Sequence, residues 1–115
     1  MSQQAQLIRD YFKAYETNDR APLDRMLADD FTFTSPQDDK ISRDTYFQRC
    51  WPSCQHLDCY QILRLVIHKN EGFVTYRCHR KNGTVFENTE VFTFEGERIT
   101  HIDVYFGLDS AYASS

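Results

Sequence analysis

The sequence predicts an α+β domain in which short helices come first and a long antiparallel sheet follows. Up to about residue 51, apolar side chains recur mainly at helical spacing. From residue 57 onward, β-branched and aromatic residues form long segments separated by turn signals. Helices grouped before strands are typical of the α+β class. The 115 residues predict a single domain, 1–115, large enough for one core and one modest cavity.

The first half of the chain predicts three helices and one short strand. Apolar residues recur every three or four positions over Gln3–Thr17, and Pro22 is tolerated in the first turn of a second, short helix. Residues 31–35 alternate as a strand, and residues 37–41 predict a polar, solvated loop that includes Asp38. Ser42 is a suitable cap for a third helix.

The second half predicts four strands, at residues 57–69, 73–81, 84–94 and 98–106. A two-residue turn at Asn82-Gly83 would pair Arg77 with Asn88 and set which side chains share a face. That face would carry Phe73, Thr75, Arg77, His79, Phe86, Asn88, Glu90, Phe92 and Phe94. Such a mixture suits an apolar pocket with a few converging polar groups, although a solvent face with an Arg–Glu pair fits equally well.

Composition excludes several classes of function. Thirteen basic against seventeen acidic residues give a net charge of −4, which argues against a nucleic-acid partner. No apolar run approaches the length of a membrane span, and the first residues lack a signal-peptide pattern, so we expect a cytoplasmic location. The cysteines at 50, 54, 59 and 78 have no zinc-finger spacing and are expected to be reduced thiols. We expect no metal and no cofactor.

Four segments make the chain similar to a known superfamily: 7–12 (LIRDYF), 27–36 (LADDFTFTSP), 90–94 (EVFTF) and 102–107 (IDVYFG). The chain resembles the nuclear transport factor 2-like superfamily, and most closely its SnoaL-like and ketosteroid-isomerase-like branch. Residues 42–52 are similar to a bacterial subgroup of unknown function. The resemblance implies a cone-shaped α+β barrel, with helices packed on a strongly curved, mainly antiparallel sheet around a cavity. It also implies a homodimer formed through the outer sheet face.

The isomerase branch implies roles for three positions. Tyr11 matches a tyrosine that donates to an oxyanion, and Glu90 matches a protonated acid that donates beside it. Ser35 falls where that branch has its carboxylate base, and a serine cannot shuttle the proton in the same way. In an epoxide-hydrolase-like branch, Arg77 matches the arginine, whereas His79 and Val104 replace its two aspartates.

The proposed site combines the face prediction with the resemblance. Tyr11, His79 and Glu90 are the candidate catalytic residues, His79 because its usual pKa lies near neutrality. Arg77 would bind a substrate carboxylate or neutralise Glu90. The candidate substrate-binding residues are Ser35, Trp51, Arg77, Phe86, Asn88, Phe92, Val104 and Phe106. The outer, dimer-forming face would carry Val74, Tyr76, Val85, Val91, His101, Asp103 and Tyr105.

Three functions remain open from the sequence. The first is a cofactor-independent acid/base enzyme (an isomerase, lyase or cyclase) acting on a small, partly apolar carbonyl compound. The second is a non-catalytic carrier or sensor of such a compound. The third is a protein-interaction module of the same fold, because one fold hosts many functions.

Overall fold

The structure is a computed structural model that describes residues 2–112. Its helices and strands follow in the order α1 (Gln3–Thr17), α2 (Ala21–Met26), β1 (Leu27–Ser35), β2 (Asp38–Ser42), α3 (Arg43–Arg49), a 3₁₀ helix (Trp51–His56), β3 (Leu57–His68), β4 (Glu71–Arg80), β5 (Val85–Glu95), β6 (Arg98–Asp109) and a second 3₁₀ helix (Ser110–Tyr112). The three predicted helices and the four predicted later strands are all present.

Local side-chain chemistry sets the ends of the helices. The Ser2 hydroxyl accepts a hydrogen bond from the Ala5 amide at 3.1 Å and begins α1. Asn18 ends α1 in a left-handed conformation with φ of 55°. The Ser42 hydroxyl accepts from the Thr45 amide at 3.2 Å, which confirms the predicted cap of α3.

The six strands form one curved sheet that does not close into a full barrel. The strand order is β2-β1-β6-β5-β4-β3, and every neighbouring pair is antiparallel except β1 and β6. Register shifts in four of the five pairings mark the irregular points that let a sheet bend. The helices cover its concave side, so the predicted α+β fold with a mainly antiparallel sheet is confirmed.

The polar loop predicted at residues 37–41 is wrong. Most of it is β2, an edge strand that pairs with β1 through Phe33 and Ile41. A strand at the edge of a sheet has only one neighbour, so its polar side chains stay in water and mimic a loop in the sequence. In the same region β1 begins at Leu27, four residues earlier than predicted.

The register predicted for the β4–β5 hairpin is also wrong, by one residue. The connection has three residues rather than two, because Arg80 and Thr84 form the last backbone pair at 2.9 Å. The Gly83 amide bonds to the Arg80 carbonyl at 3.0 Å, and Gly83 has φ of 89°. This is the three-residue hairpin whose last position needs a positive φ. Tyr76 therefore pairs with Asn88, and Arg77 pairs with Glu87.

The shift changes which side of β4 faces the core. Val74 and Cys78 are fully buried on the concave side, together with Tyr76 at 3% exposure. The inward residues of β5, which include Phe92 and Phe94, are those that the sequence predicted. Within residues 2–112 no helix is long and apolar enough to cross a membrane. A cytoplasmic location stays a prediction.

Candidate functional site

A cavity of about 670 Å³ lies between α1, α3 and the concave face of the sheet. Its aromatic lining consists of Tyr11, Phe12, Tyr15, Phe33, Tyr46, Tyr60, Tyr76, Phe86 and Phe106. The acidic residues in its wall are Asp38, Glu90 and Asp109. Volume and lining match those of small-molecule sites, which are mostly apolar and hold a few polar groups.

Glu90 is the buried charged group of this cavity, with 5% exposure. The Tyr76 hydroxyl donates to Glu90 Oε2 at 2.5 Å, and the Asn88 amide donates to the Tyr76 oxygen at 3.3 Å. Glu90 Oε1 has no hydrogen-bond partner among the described residues. Burial raises the pKa of Glu90 to about 7, and the hydrogen bond from Tyr76 opposes part of that rise. The carboxyl group therefore changes charge near neutral pH.

Three tyrosines of the helices form a second buried polar group. The Tyr46 hydroxyl lies 2.5 Å from the hydroxyls of both Tyr11 and Tyr15. Burial raises the pKa of all three well above its usual range, so each keeps its proton. The two hydrogen bonds to Tyr46 use two of the three hydroxyl hydrogens, which leaves a third hydrogen. That hydrogen can be donated to a bound molecule.

Two ion pairs stand at other points of the cavity wall. Asp38 accepts from Arg49 at 2.6 Å and, more weakly, from the Ser35 hydroxyl at 3.3 Å. Only 10% of the Asp38 side chain is exposed, so the prediction that it is solvated is wrong. Arg80 donates twice to Asp109, at 2.9 and 2.7 Å, and these bonds hold the pKa of Asp109 below its usual value.

Most of the predicted site residues do reach the cavity. Two candidate catalytic residues, Tyr11 and Glu90, line it. Five candidate substrate-binding residues also line it: Ser35, Phe86, Asn88, Val104 and Phe106. Alternation and helical spacing predict which of these residues share a face, and the resemblance implied that this face points inward.

Two predicted residues are on the wrong side of the sheet. Arg77 and His79 lie on the convex face, because the three-residue turn moves β4 by one position relative to β5. There Arg77 donates two hydrogen bonds to Glu87, at 2.9 and 2.8 Å. Neither residue lines the cavity, so the predicted placement of His79 as its general base is wrong.

Two aromatic residues support the cavity wall from behind. Trp51 packs edge-on against Tyr15 with ring centroids 4.9 Å apart, and Phe92 packs in the same way against Tyr11 at 5.1 Å. Phe92 is fully buried. Neither is part of the cavity lining, so their predicted contact with a bound molecule is replaced by a packing role.

The convex face also differs from the prediction. Val74 and Tyr76 were expected there and are instead buried on the concave side, for the same reason of register. Tyr105 is 61% exposed on the outer side of β6. Beside it, the Thr32 hydroxyl lies 2.6 Å from His101 Nδ1, and His101 Nε2 lies 2.9 Å from Asp103.

Sequence reasoning found Tyr11 but missed the other site tyrosines, Tyr15, Tyr46, Tyr60 and Tyr76. Tyr15 follows Tyr11 by one helical turn, and this spacing was a usable signal that both face the core. Tyr46 joins them only through packing between α1 and α3, which leaves no sequence pattern. Among residues 2–112 no group of three or more His, Cys, Asp or Glu side chains is placed to hold a metal ion.

The chain belongs to the family of the SnoaL-like domain, which it matches over residues 8–102. This places it in the nuclear transport factor 2-like superfamily, in agreement with the resemblance seen in the sequence. A search of curated proteins found no significant sequence match.

Solved structures share the fold at low sequence identity. An NTF2-like protein of unknown function from Burkholderia pseudomallei has 19% identity and a TM-score of 0.72, covering 93% of this chain and 92% of its own. A candidate ketosteroid isomerase from Kribbella flavida has 16% identity and a TM-score of 0.75, covering 98% and 82%. An LEH-like epoxide hydrolase from M. tuberculosis has 18% identity and a TM-score of 0.74, covering 91% and 83%. These similarities show the fold.

The raised pKa of Glu90 predicts a pH-dependent gain in stability for Glu90→Gln. An unfolded glutamate ionises near pH 4.5, whereas folded Glu90 holds its proton until about pH 7. Between these values the unfolded state binds fewer protons, so the free energy of unfolding of the wild type falls as pH rises. The free energy of unfolding of Glu90→Gln does not fall in this way. Relative to that of the wild type, it should therefore rise by about 2 kcal/mol between pH 5 and 8.

Urea denaturation at the two pH values measures this difference. Glu87→Gln, on the convex face, is the matched control and should show no comparable change between pH 5 and 8. An equal effect of Glu90→Gln at both pH values would mean that Glu90 ionises normally in the folded protein.

Proposed function

We propose that this chain binds a small, partly apolar molecule in the cavity, and that Glu90 exchanges a hydrogen bond or a proton with it. The observation that carries this proposal is the unpartnered Oε1 of a 5%-exposed carboxyl group in the cavity wall. Leaving a buried polar atom without a partner costs about 1 to 3 kcal/mol, and a ligand that supplies the partner recovers that cost.

The remaining wall supports the same proposal. Aromatic rings offer a large apolar contact area, and the spare hydroxyl hydrogen of the tyrosine triad offers one donor. An open cavity with these polar groups favours ligand binding. A protein-interaction module of this fold would instead be expected to have its cavity filled by side chains.

A second candidate is a cofactor-independent acid/base enzyme, either an isomerase, a lyase or a cyclase, that acts on a small carbonyl compound. The pKa of Glu90, near 7, favours it, because a general acid or base works best when its pKa lies near the working pH. Glu90 would take a proton from the carbon next to the carbonyl, and the C–H electrons would pass to the carbonyl oxygen. The spare tyrosine hydrogen would stabilise the resulting enolate.

The acid/base candidate assigns no proton transfer to the other predicted groups. Ser35 lines the cavity as a hydroxyl that donates to Asp38, and His79 lies outside. Solved relatives of this fold include proteins described as an isomerase and an epoxide hydrolase, which is why small-molecule chemistry is the class proposed here.

We further propose that the chain forms a homodimer through the convex face of the sheet. Tyr105 is a large, 61%-exposed aromatic residue on that face, with the half-buried Val85 and Val91 on the neighbouring strand. Exposed aromatic residues of this kind are enriched in interfaces.

Filling the cavity should abolish binding of an apolar probe. Val104→Phe adds a ring to a buried side chain of the cavity wall, so we expect at least tenfold weaker binding of 2-naphthol, followed by its fluorescence. The control Val66→Phe makes the same change at a 58%-exposed position of β3 and should bind as the wild type does. Equal binding by both variants would place the probe elsewhere.

Loss of the Glu90 carboxyl should remove acid/base activity if the second candidate is correct. We expect the wild type to accelerate exchange of the α-hydrogens of 2-tetralone for deuterium in D₂O, measured by proton NMR. The rate should rise through about pH 7 as Glu90 ionises and should fall at least 100-fold in Glu90→Gln. If Glu90→Gln exchanged the hydrogens at the wild-type rate, Glu90 would be excluded as the base. If the wild type did not accelerate the exchange, this activity would be excluded.

Placing a charge on the convex face should separate the proposed dimer. Tyr105→Glu puts two like charges at a contact made by two identical surfaces, and light scattering should then give the monomer mass. Gln48→Glu is the control, because it adds the same charge at an exposed position of α3, on the opposite side of the sheet. A monomeric wild type at micromolar concentration would refute the dimer.

A further inference from the structure

Of the three acidic side chains that the described residues contribute to the cavity wall, two are paired with an arginine and one is not. Asp109 is neutralised by Arg80 through two hydrogen bonds, and Asp38 is paired with Arg49. Glu90 differs from both, because its Oε2 accepts from the neutral Tyr76 hydroxyl and its Oε1 has no partner among the described residues. The register of β4 keeps the nearest predicted cation, Arg77, on the other side of the sheet.

Aromatic side chains surround this unbalanced acid. Five tyrosines, from α1, α3, β3 and β4, lie near enough for their phenol groups to interact electrostatically with Glu90: Tyr11, Tyr15, Tyr46, Tyr60 and Tyr76. All five line the cavity. Aromatic faces attract an organic cation, and a contact that excludes water contributes about 2 kcal/mol.

We infer that the molecule bound in this cavity is an organic cation, a small amine with an apolar body whose ammonium group pairs with the Glu90 carboxylate. This inference rests on the proposed binding in the cavity and specifies the charge of the ligand. A carboxylate ligand would meet the ionised Glu90, while the lining cation Arg80 is already paired with Asp109, so it should be rejected. A neutral carbonyl compound only accepts hydrogen bonds, so it leaves the lone pairs of an ionised Glu90 unmatched.

Three probes of similar size test the inference by titration calorimetry at pH 8. They are 2-phenylethylamine, which is a cation, 2-phenylethanol, which is neutral, and phenylacetate, which is an anion. We expect the amine to bind at least tenfold more tightly than the alcohol, and phenylacetate not to bind. The conservative variant Glu90→Gln keeps the shape and removes the charge, so it should lower amine affinity at least tenfold more than it lowers alcohol affinity.

The control Glu87→Gln removes one acid from the convex face and should change neither affinity, and thermal melting confirms that both variants are folded. Equal binding of amine and alcohol, or full amine affinity in Glu90→Gln, overturns the inference while the proposed binding in the cavity stands. If none of the three probes binds but 2-naphthol does, the inference is likewise overturned and the proposed binding in the cavity stands. If 2-naphthol also fails to bind, both the inference and the proposed function fall.

Discussion

The three-residue turn between β4 and β5 is the constraint on which the rest of the site depends. Side chains alternate between the two faces of a strand. The presence of one more residue in the turn therefore decides which alternate set of β4 side chains faces the cavity. With Gly83 at a positive φ, Tyr76 is inside and donates to Glu90, while Arg77 is outside and pairs with Glu87. A two-residue turn would reverse this arrangement and place a guanidinium group beside the buried acid. The chemistry of the cavity therefore follows from backbone geometry at an exposed loop.

The sequence predicted the parts of this structure that depend on local patterns. The capped helices and the four long strands follow from spacing and alternation, and the inward positions of Glu90 and Val104 were implied by the resemblance. The register of β4 did not, because Asn82-Gly83 fits a two-residue or a three-residue hairpin and the choice depends on pairing along both strands. The Tyr11–Tyr46–Tyr15 triad could not be predicted either, since it exists only where two helices pack against each other.

The buried acid and the tyrosines around it limit each other. The Tyr76 hydroxyl satisfies one oxygen of Glu90, but a phenol carries no charge and cannot offset the desolvation of a carboxylate as an arginine would. The pKa of Glu90 therefore rises, and the tyrosines keep their protons because burial raises their pKa values and an ionised Glu90 raises them further. A site with these properties is less stable than an apolar core of the same shape, which is common where binding or catalysis needs such a group.

The charge of Glu90 links the two candidate functions. Near pH 7 both forms of the carboxyl are populated, and a ligand stabilises the form that complements it. A ligand that accepts hydrogen bonds favours the protonated form, which can act as a donor beside the spare tyrosine hydrogen. A cation favours the ionised form, whose negative charge attracts the ammonium group. Because Arg77 lies outside, no cation of the described residues is paired with Glu90, so a bound ligand would shift the balance between the two forms of its carboxyl group.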